Sequence, residues 1–204
     1  MFCVIFEVRP RDDQRDAYLG LARMLRPELE QVEGFIDNIR YRSLTRPGWI
    51  LSVSTWRDEH AVVTWRAHVR HHEAQQKGRA GIFTDYHLRV GEMGQAAATV
   101  MLIDRSRPAE LVKTSEANGA ARSLGLVPDA AGLVAWDVFE ALLTPGDVVL
   151  LLSWRAAADA EAYERAASLP DNTRIRHIRV VRDYGMFDRR EAPQYFSDAP
   201  RAKT

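Results

Sequence analysis

The sequence contains a single cysteine, Cys3, among its 204 residues. One cysteine cannot form an intramolecular disulfide framework or a zinc site built from several thiolates. Cys3 lies within the apolar run 2–6, so we interpret it as a small buried hydrophobic residue. Neither a disulfide scaffold nor thiol chemistry is expected to explain the function.

The sequence also lacks an excess of charge, because 28 Lys and Arg residues balance 28 Asp and Glu residues. Proteins that bind nucleic-acid phosphates normally carry a basic surplus, so no nucleic-acid partner is expected. No apolar stretch approaches the roughly 20 residues of a membrane-spanning helix, and no signal-type segment is visible. With 46% apolar residues, the composition predicts a folded, soluble, cytoplasmic protein with no membrane partner.

What the sequence does contain is a repeat with an offset of 98 residues. At this offset glycines, prolines and aromatic residues coincide without a gap: Gly34 with Gly132, Pro47-Gly48 with Pro145-Gly146, Trp56-Arg57 with Trp154-Arg155, and Asp85-Tyr86 with Asp183-Tyr184. We interpret the repeat as a tandem duplication of a small domain. The first copy is predicted at 1–98, with a linker at 91–98, the second at 99–196, and a polar tail at 197–204.

Each copy predicts the element order β-α-β-β-α-β of a ferredoxin-like unit. In the first copy, apolar spacing predicts strands at 2–8, 35–44, 49–56 and 84–90, and helices at 12–32 and 58–76. In the second, we expect strands at 99–104 and 175–184, helices at 108–124 and 156–168, and a hairpin turn at Pro145-Gly146. Helices cover one face of such a sheet, so the two copies are predicted to pack sheet against sheet and enclose a pocket.

Several segments resemble the antibiotic biosynthesis monooxygenase family. They are Glu33-Gly34-Phe35, the stretch LSVSTWRDE at 51–59, Trp65-Arg66, QQKGRAGIF at 75–83, Asp85-Tyr86, and DYGMFDRR at 183–190. The resemblance implies an α+β fold, here two tandem ferredoxin-like units packed as an intrachain dimeric α+β barrel that can assemble further as a homodimer. It also implies cofactor-free oxygenation of electron-rich aromatic compounds, or haem binding and cleavage, or no activity.

Three histidines on the second helix are the candidate proton-handling groups. His68, His71 and His72 stand at i, i+3 and i+4, a spacing that places three imidazoles on one helix face. Because histidine titrates near neutral pH, we predict that His71 or His72 is the catalytic base. In the haem alternative, the iron ligand comes from the same three residues.

Aromatic and amide side chains are the candidate substrate contacts. Trp65 follows Trp56 by nine residues, the spacing of haem-degrading members of the superfamily, and this resemblance implies that Trp65 lines the pocket. The alternative is that Trp65 is a core aromatic residue. We expect Asn38 and Tyr86 to hydrogen-bond the substrate, with Trp56 as a further contact. Arg79 and Arg89 are candidate partners for an anionic group of the substrate, with exposed surface positions as the alternative.

The leading hypothesis is a cofactor-independent monooxygenase that oxidises a phenolic or polyaromatic small molecule with O2. A base removes a proton, the resulting carbanion passes an electron to O2, and recombination gives a quinone-type product. The first alternative is a haem-binding or haem-degrading protein, and the second is a non-catalytic barrel that binds a small molecule. In the second copy Trp136 and Tyr163 replace Asn38 and Trp65, so we expect the first copy to hold the working pocket.

Overall fold

The structure is a computed structural model and describes residues 1–94, 100–106, 130–144, 146–167 and 173–193. Its elements are β1 (Phe2–Pro10), α1 (Arg15–Leu29), β2 (Phe35–Ser43), β3 (Ile50–Trp56), α2 (Glu59–Ala67), α3 (Val69–Lys77), a π-helical turn (Gly78–Ile82), β4 (Phe83–Met93), β5 (Val100–Ser106), β6 (Leu133–Ala141), β7 (Asp147–Trp154), α4 (Ala157–Ala166) and β8 (Arg174–Gly185). The predicted tandem α+β, ferredoxin-like fold is confirmed. None of the helices in the described ranges is long and apolar enough to cross a membrane.

Contacts among these elements divide the chain into two compact units. Unit 1 comprises residues 1–38, 48–91 and those from 181 onward, and unit 2 comprises residues 39–47 and 92–180. The boundary predicted between 98 and 99, the helix predicted at 108–124 and the tail at 197–204 lie outside the described residues. The domain limits and the packing of two copies as an intrachain barrel therefore stay predictions.

The sheet of unit 1 is built on the pairing of β1 with β3. The two strands are antiparallel, with Phe2 opposite Trp56 and Val8 opposite Ile50. Because side chains alternate along a strand, one face of β1 carries Phe2, Val4, Phe6 and Val8, which pack with buried residues of α1 and α2: Tyr18, Leu29, Ala61 and Val62. The opposite face carries the buried side chains of Cys3, Ile5 and Glu7. Burial of Cys3 agrees with its interpretation as a small hydrophobic residue.

Glycines at the offset of 98 residues hold the same backbone conformation. Gly34 and Gly132 have φ of 88° and 79°, and Gly48 and Gly146 have φ of 83° and 101°. Residues other than glycine rarely adopt these φ angles. The carbonyl of Gly34 accepts a hydrogen bond from the Arg57 amide at 2.7 Å, and that of Gly132 accepts one from Arg155 at 2.8 Å. The sequence repeat therefore coincides with a repeated local geometry.

Unit 2 has its own hydrophobic core. Strand β7 pairs antiparallel with both β5 and β6. The buried core consists of Val138, Val148, Leu150, Leu152, Trp154, Ala160 and Tyr163. The carboxylate of Asp137, 3% exposed, accepts hydrogen bonds from Ser43, Thr45 and Arg46. Because these three donors come from the β2 end of unit 2, Asp137 holds that segment against β6.

The single helix predicted at 58–76 is wrong, because the chain breaks at His68. The helix begins as expected, with the Asp58 side chain accepting from the Ala61 amide at 2.9 Å. It then stops at Ala67, since His68 adopts the extended angles φ −60° and ψ 128° before α3 starts. His68 is thus the N-cap of α3, and the three histidines do not form one helical stripe.

Two further boundaries differ from the sequence-based expectation. Helix α1 ends at Leu29 rather than residue 32, with Pro27 in its last turn. Strand β4 continues to Met93, so residues 91–93 belong to the strand and not to a linker.

Candidate active site

Trp65 stacks with two imidazoles where α2 gives way to α3. Its ring lies 4.5 Å from that of His71 with an interplanar angle of 14°, and 5.3 Å from that of His68 with an angle of 29°. Trp65 is half-buried and packs against the core cluster that contains Trp56 and Leu29. The structure therefore brings together two of the residues predicted for the site, Trp65 and His71.

The break in the helix fixes the orientation of the His71 ring. The carbonyl of Trp65 lies 2.9 Å from Nδ1 of His71 and also accepts from the His68 amide at 3.1 Å. The Trp65 carbonyl only accepts and lies closer to Nδ1 than the Gln75 amide nitrogen does, at 3.3 Å, so we assign the proton to Nδ1 and the lone pair to Nε2. Burial lowers the pKa of His71 to about 4, opposed by the hydrogen bond to Trp65. His71 is therefore neutral at physiological pH and offers Nε2 as an acceptor.

The other two histidines have different surroundings. The ring of His72 lies 3.4 Å from the Gln76 amide through Nε2. Nδ1 of His68 lies 3.6 Å from the carboxylate of Glu28, which also pairs with Arg70. His68 is thus directed toward an ion pair on α1 while it stacks on Trp65.

Asn38 is held on β2 by its amide nitrogen. This nitrogen donates to Ser52 Oγ at 2.9 Å and to the Val53 carbonyl at 3.2 Å. Its Oδ1 is buried and has no hydrogen-bond partner among the residues that the structure describes. Such an oxygen can accept one hydrogen bond from a bound molecule. Within those same residues, no hydrogen bond or ring contact links Asn38 to Trp65 or Tyr86.

Trp56 lies in the core rather than beside the imidazoles. It is 1% exposed, its indole N–H donates to Ser54 Oγ at 2.9 Å, and its ring meets Phe35 edge-on at 5.3 Å. Its counterpart Trp154 is buried in the same way, at 3% exposure. These contacts are those of a packing residue, and substrate contact by Trp56 stays a prediction.

Tyr86 is surrounded by arginines. Its ring packs against Phe6 and Phe83 at centroid distances of 5.7 and 6.3 Å. Its hydroxyl accepts hydrogen bonds from Arg79 at 2.6 Å and from Arg189. Arg79 comes from the π-helical turn just before β4, whereas Arg189 comes from the segment after β8, 103 residues away in sequence. Sequence reasoning singled out Arg79 and missed Arg189, although the match of residues 183–190 to the family pointed to that segment.

A charged network on β4 was also missed from the sequence. Nε2 of His87 lies 2.5 Å from Asp183, and Nδ1 lies 3.7 Å from Glu7, which forms a buried ion pair with Arg89. The hydrogen bonds to Asp183 first, and then to Glu7, raise the pKa of His87 to about 9. His87 is therefore protonated at neutral pH. The alternation of His87 and Arg89 on β4 was the available signal. Arg89 is thus buried, contrary to a surface position.

An open cleft of about 290 Å³ lies between β4 and the β8 end. Its lining includes Tyr86, His87, Asp183 and residues 184–188. The histidines of α3 are not part of this lining. The cleft and the Trp65 cluster are therefore separate features of unit 1.

In the haem alternative, the iron ligand comes from His68, His71 or His72. Neutral imidazole is the form that ligates iron, and His71 offers a neutral ring with Nε2 as acceptor. No group of three His, Cys, Asp or Glu side chains within the described ranges is placed to bind a metal ion. The haem alternative stays a prediction.

Comparison with known proteins places this geometry in a family. The sequence model described as antibiotic biosynthesis monooxygenase matches residues 1–77. A protein of Pyricularia oryzae named jasmonate monooxygenase ABM is 44% identical over an alignment of 221 positions that covers 98% of this chain and 100% of that protein. The chain belongs to the antibiotic biosynthesis monooxygenase family. The resemblance seen in the sequence is thereby confirmed.

The family match spans most of the candidate site. Residues 1–77 include Asn38, Trp65 and the three histidines, whereas Tyr86 and its arginines lie beyond it. Among solved structures, one described as an antibiotic biosynthesis monooxygenase is 18% identical, with a TM-score of 0.42, over 47% of this chain and 100% of that one. A conserved protein from Methanosarcina mazei is 17% identical, with a TM-score of 0.41, over 44% of this chain and 88% of that one.

Proposed function

We propose that this chain is a monooxygenase that transfers one oxygen atom of O2 to a small, jasmonate-type carboxylic acid. The observation that carries the proposal is the 44% identity to a jasmonate monooxygenase, which extends over 98% of this chain. A family fold alone supports many activities. The substrate class therefore rests on this full-length relative, and the site rests on the residues of unit 1.

His71 and Trp65 are the residues that would orient the substrate at the reacting carbon. The neutral His71 ring accepts a hydrogen bond at Nε2, and stacking of Trp65 on one face of the imidazole holds the ring in place. A base with a pKa of about 4 drives proton removal weakly at neutral pH, because the best general bases have a pKa near the working pH. We therefore assign His71 to hydrogen-bond acceptance and partial proton transfer in the transition state, with His72 as the alternative base.

The electron balance decides whether a co-reactant is needed. If a CH2 group becomes a carbonyl, the substrate supplies four electrons, one oxygen atom enters the product and the other leaves as water. If a C–H group becomes an alcohol, an external two-electron donor must be oxidised to complete the reduction of the second oxygen atom to water. The cofactor-free route is our proposal for the first case, and the second requires a reductant such as a reduced nicotinamide.

A phenolic substrate is the second candidate, favoured by the stacked face of Trp65 and His71. An aromatic ring can extend such a stack at a centroid distance of about 4.5–7 Å. In that case the phenol proton passes toward Nε2 of His71, and a quinone-type product forms with water. The buried Oδ1 of Asn38 is available to accept from a second hydroxyl of the substrate.

Oxygen uptake with isotope-labelled O2 tests both candidates. The purified chain is mixed with jasmonic acid, or with a phenol such as a dihydroxynaphthalene, with and without reduced nicotinamide. We expect uptake with jasmonic acid and a product that carries one labelled oxygen atom. We expect His71→Gln to lower kcat about tenfold or more, whereas His60→Gln, which changes an exposed histidine of α2, serves as the matched control.

The outcomes separate the candidates. Labelled product only from the phenol replaces the first candidate by the second. Unchanged kcat in His71→Gln removes His71 from the mechanism. No labelled product from either compound, with or without reductant, contradicts the proposal.

A further inference from the structure

The Tyr86 hydroxyl is arranged to donate its proton to a bound molecule. Arg79 and Arg189 both donate to the phenolic oxygen, which has two lone pairs to accept them. The hydroxyl proton is then the group left over. Among the residues that the structure describes, no acceptor is hydrogen-bonded to it. An acceptor supplied from outside the chain would complete the arrangement.

Positive charge gathers around this phenol and its neighbour Tyr184. The Arg189 guanidinium lies 5.4 Å above the Tyr184 ring. Burial and the nearby Tyr86 raise the pKa of Tyr184, while Arg189, Arg66 and Arg182 act to lower it. Arg66 belongs to α2 and directly follows Trp65. Three guanidinium groups therefore act on the Tyr184 ring in the same direction, and one of them, Arg182, is also paired with Glu59 at 2.5 Å.

Three acidic residues line the same cleft and have hydrogen-bond partners of their own. Asp183 pairs with His87 at 2.5 Å, and Asp188 pairs with Arg190 at 2.6 Å. Asp85 accepts a hydrogen bond from the following backbone amide at 2.8 Å. Each carboxylate has a donor of its own. An anion that reaches Tyr86 thus meets the two guanidinium groups behind the phenol.

We propose that Tyr86, Arg79 and Arg189 bind the carboxylate of the substrate. The proposal rests on the proposed function for the identity of the acid. Tyr86 donates its proton to a carboxylate oxygen, and the arginines compensate the negative charge through charge-assisted hydrogen bonds and electrostatic attraction. Leu88 packs against both the Tyr86 cluster and the Trp65 cluster. In this arrangement the hydrocarbon part of the acid extends from the cleft along Leu88, which connects these two separate features of unit 1, toward Trp65 and His71.

Calorimetric titration with jasmonic acid and with its methyl ester tests the proposal without turnover, under nitrogen. The ester keeps the hydrocarbon part and removes the charge. We expect the chain to bind the acid about tenfold more tightly than the ester or better, a difference of about 1.4 kcal/mol. We expect Arg189→Gln and Tyr86→Phe to remove this preference, because each should weaken binding of the acid and leave binding of the ester unchanged. Arg165→Gln, an exposed arginine of α4, is the matched control and should keep it.

The design keeps the test readable if one variant fails to fold. Tyr86→Phe retains the ring that packs on Phe6 and Phe83, and the comparison of acid with ester needs only the unaltered chain. Equal affinity of the unaltered chain for acid and ester, binding of neither, or an acid preference that survives both variants overturns the proposal. Acid-selective binding without any oxygen uptake contradicts the proposed function instead, since the binding site would then be present without the reaction.

Discussion

Acidification should destabilise the chain through His71. In the native state burial holds the pKa of this imidazole at about 4, against an ordinary value of 6.5. The His71 imidazole is therefore protonated near pH 6.5 in the unfolded chain but only near pH 4 in the folded chain. Between these values the unfolded state binds more protons, so the free energy of unfolding falls as the pH falls.

The size of the effect follows from the two pKa values. Each pKa unit corresponds to about 1.4 kcal/mol, so the interval between 6.5 and about 4 corresponds to about 3 kcal/mol of stability. This contribution is complete above pH 6.5 and is lost progressively below it. Since a small domain is stable by about 5–15 kcal/mol, the loss is a large part of the total.

Urea unfolding followed by tryptophan fluorescence measures this loss. The free energy of unfolding is measured for the wild type and for His71→Gln at intervals between about pH 7.5 and pH 4.5. Carboxylates of the chain also titrate in this range, but their contribution is the same in both proteins and cancels when the two profiles are subtracted. The wild type should lose about 2–3 kcal/mol more than the variant over this range. Parallel stability profiles would refute the buried, neutral assignment of His71 and with it the role of Nε2 as an acceptor at neutral pH.

Three further results are expected. Gly48→Ala should lower the free energy of unfolding in urea by about 1–2 kcal/mol because Gly48 has a positive φ. Gly34→Ala should lower it further, since the added Cβ would lie 2.8 Å from the Cβ of Ala61. If adding Ala61→Gly to Gly34→Ala does not restore this further loss, the steric clash between the two Cβ atoms is contradicted. His87 should add stability that is fully present below pH 6.5 and is lost as the pH rises through about 9; an alkaline unfolding profile unchanged by His87→Gln would count against its ion pairs. If haem binds, one equivalent of hemin should give a shifted Soret band that His71→Gln removes, and no saturable shift would exclude the haem alternative.

The fold was predictable from the sequence because its signals are local. Alternation along β1, the Asp58 cap and the turn at Gly48 each depend on a few adjacent residues. The break at His68 was not predictable from periodicity. At the break, the His71 imidazole hydrogen-bonds to the Trp65 carbonyl. Helical spacing does not predict a contact of this kind.

The candidate site was predictable only in part, for the same reason. Trp65 was predicted from the family resemblance and His71 from the histidine spacing, but the break at His68 is what stacks their rings. The Tyr86 site joins Arg79 and Arg189, and the hydrogen bond between Tyr86 and Arg189 spans 103 residues. A contact of that range is set by how unit 1 folds, and no motif in the sequence encodes it.

The two copies share residues that pack the core but differ at the residues of the candidate site. The buried Trp56 and Trp154 are retained, as are the left-handed Gly34 and Gly132. At the same offset, however, His68, His71 and His72 are matched by Ala166, Leu169 and Pro170.

The aromatic residues on the helices follow the same division. Tyr163, the counterpart of Trp65, is 8% exposed and packs on Trp154 at 5.1 Å, so it completes a core. Trp65 is half-buried and turns its face to His71 instead. Trp136, the counterpart of Asn38, packs against the core of unit 2, where an apolar ring replaces a buried acceptor. The second copy therefore retains the packing residues Trp154 and Gly132 and lacks the imidazoles of the first copy. We therefore propose that the reaction takes place in unit 1.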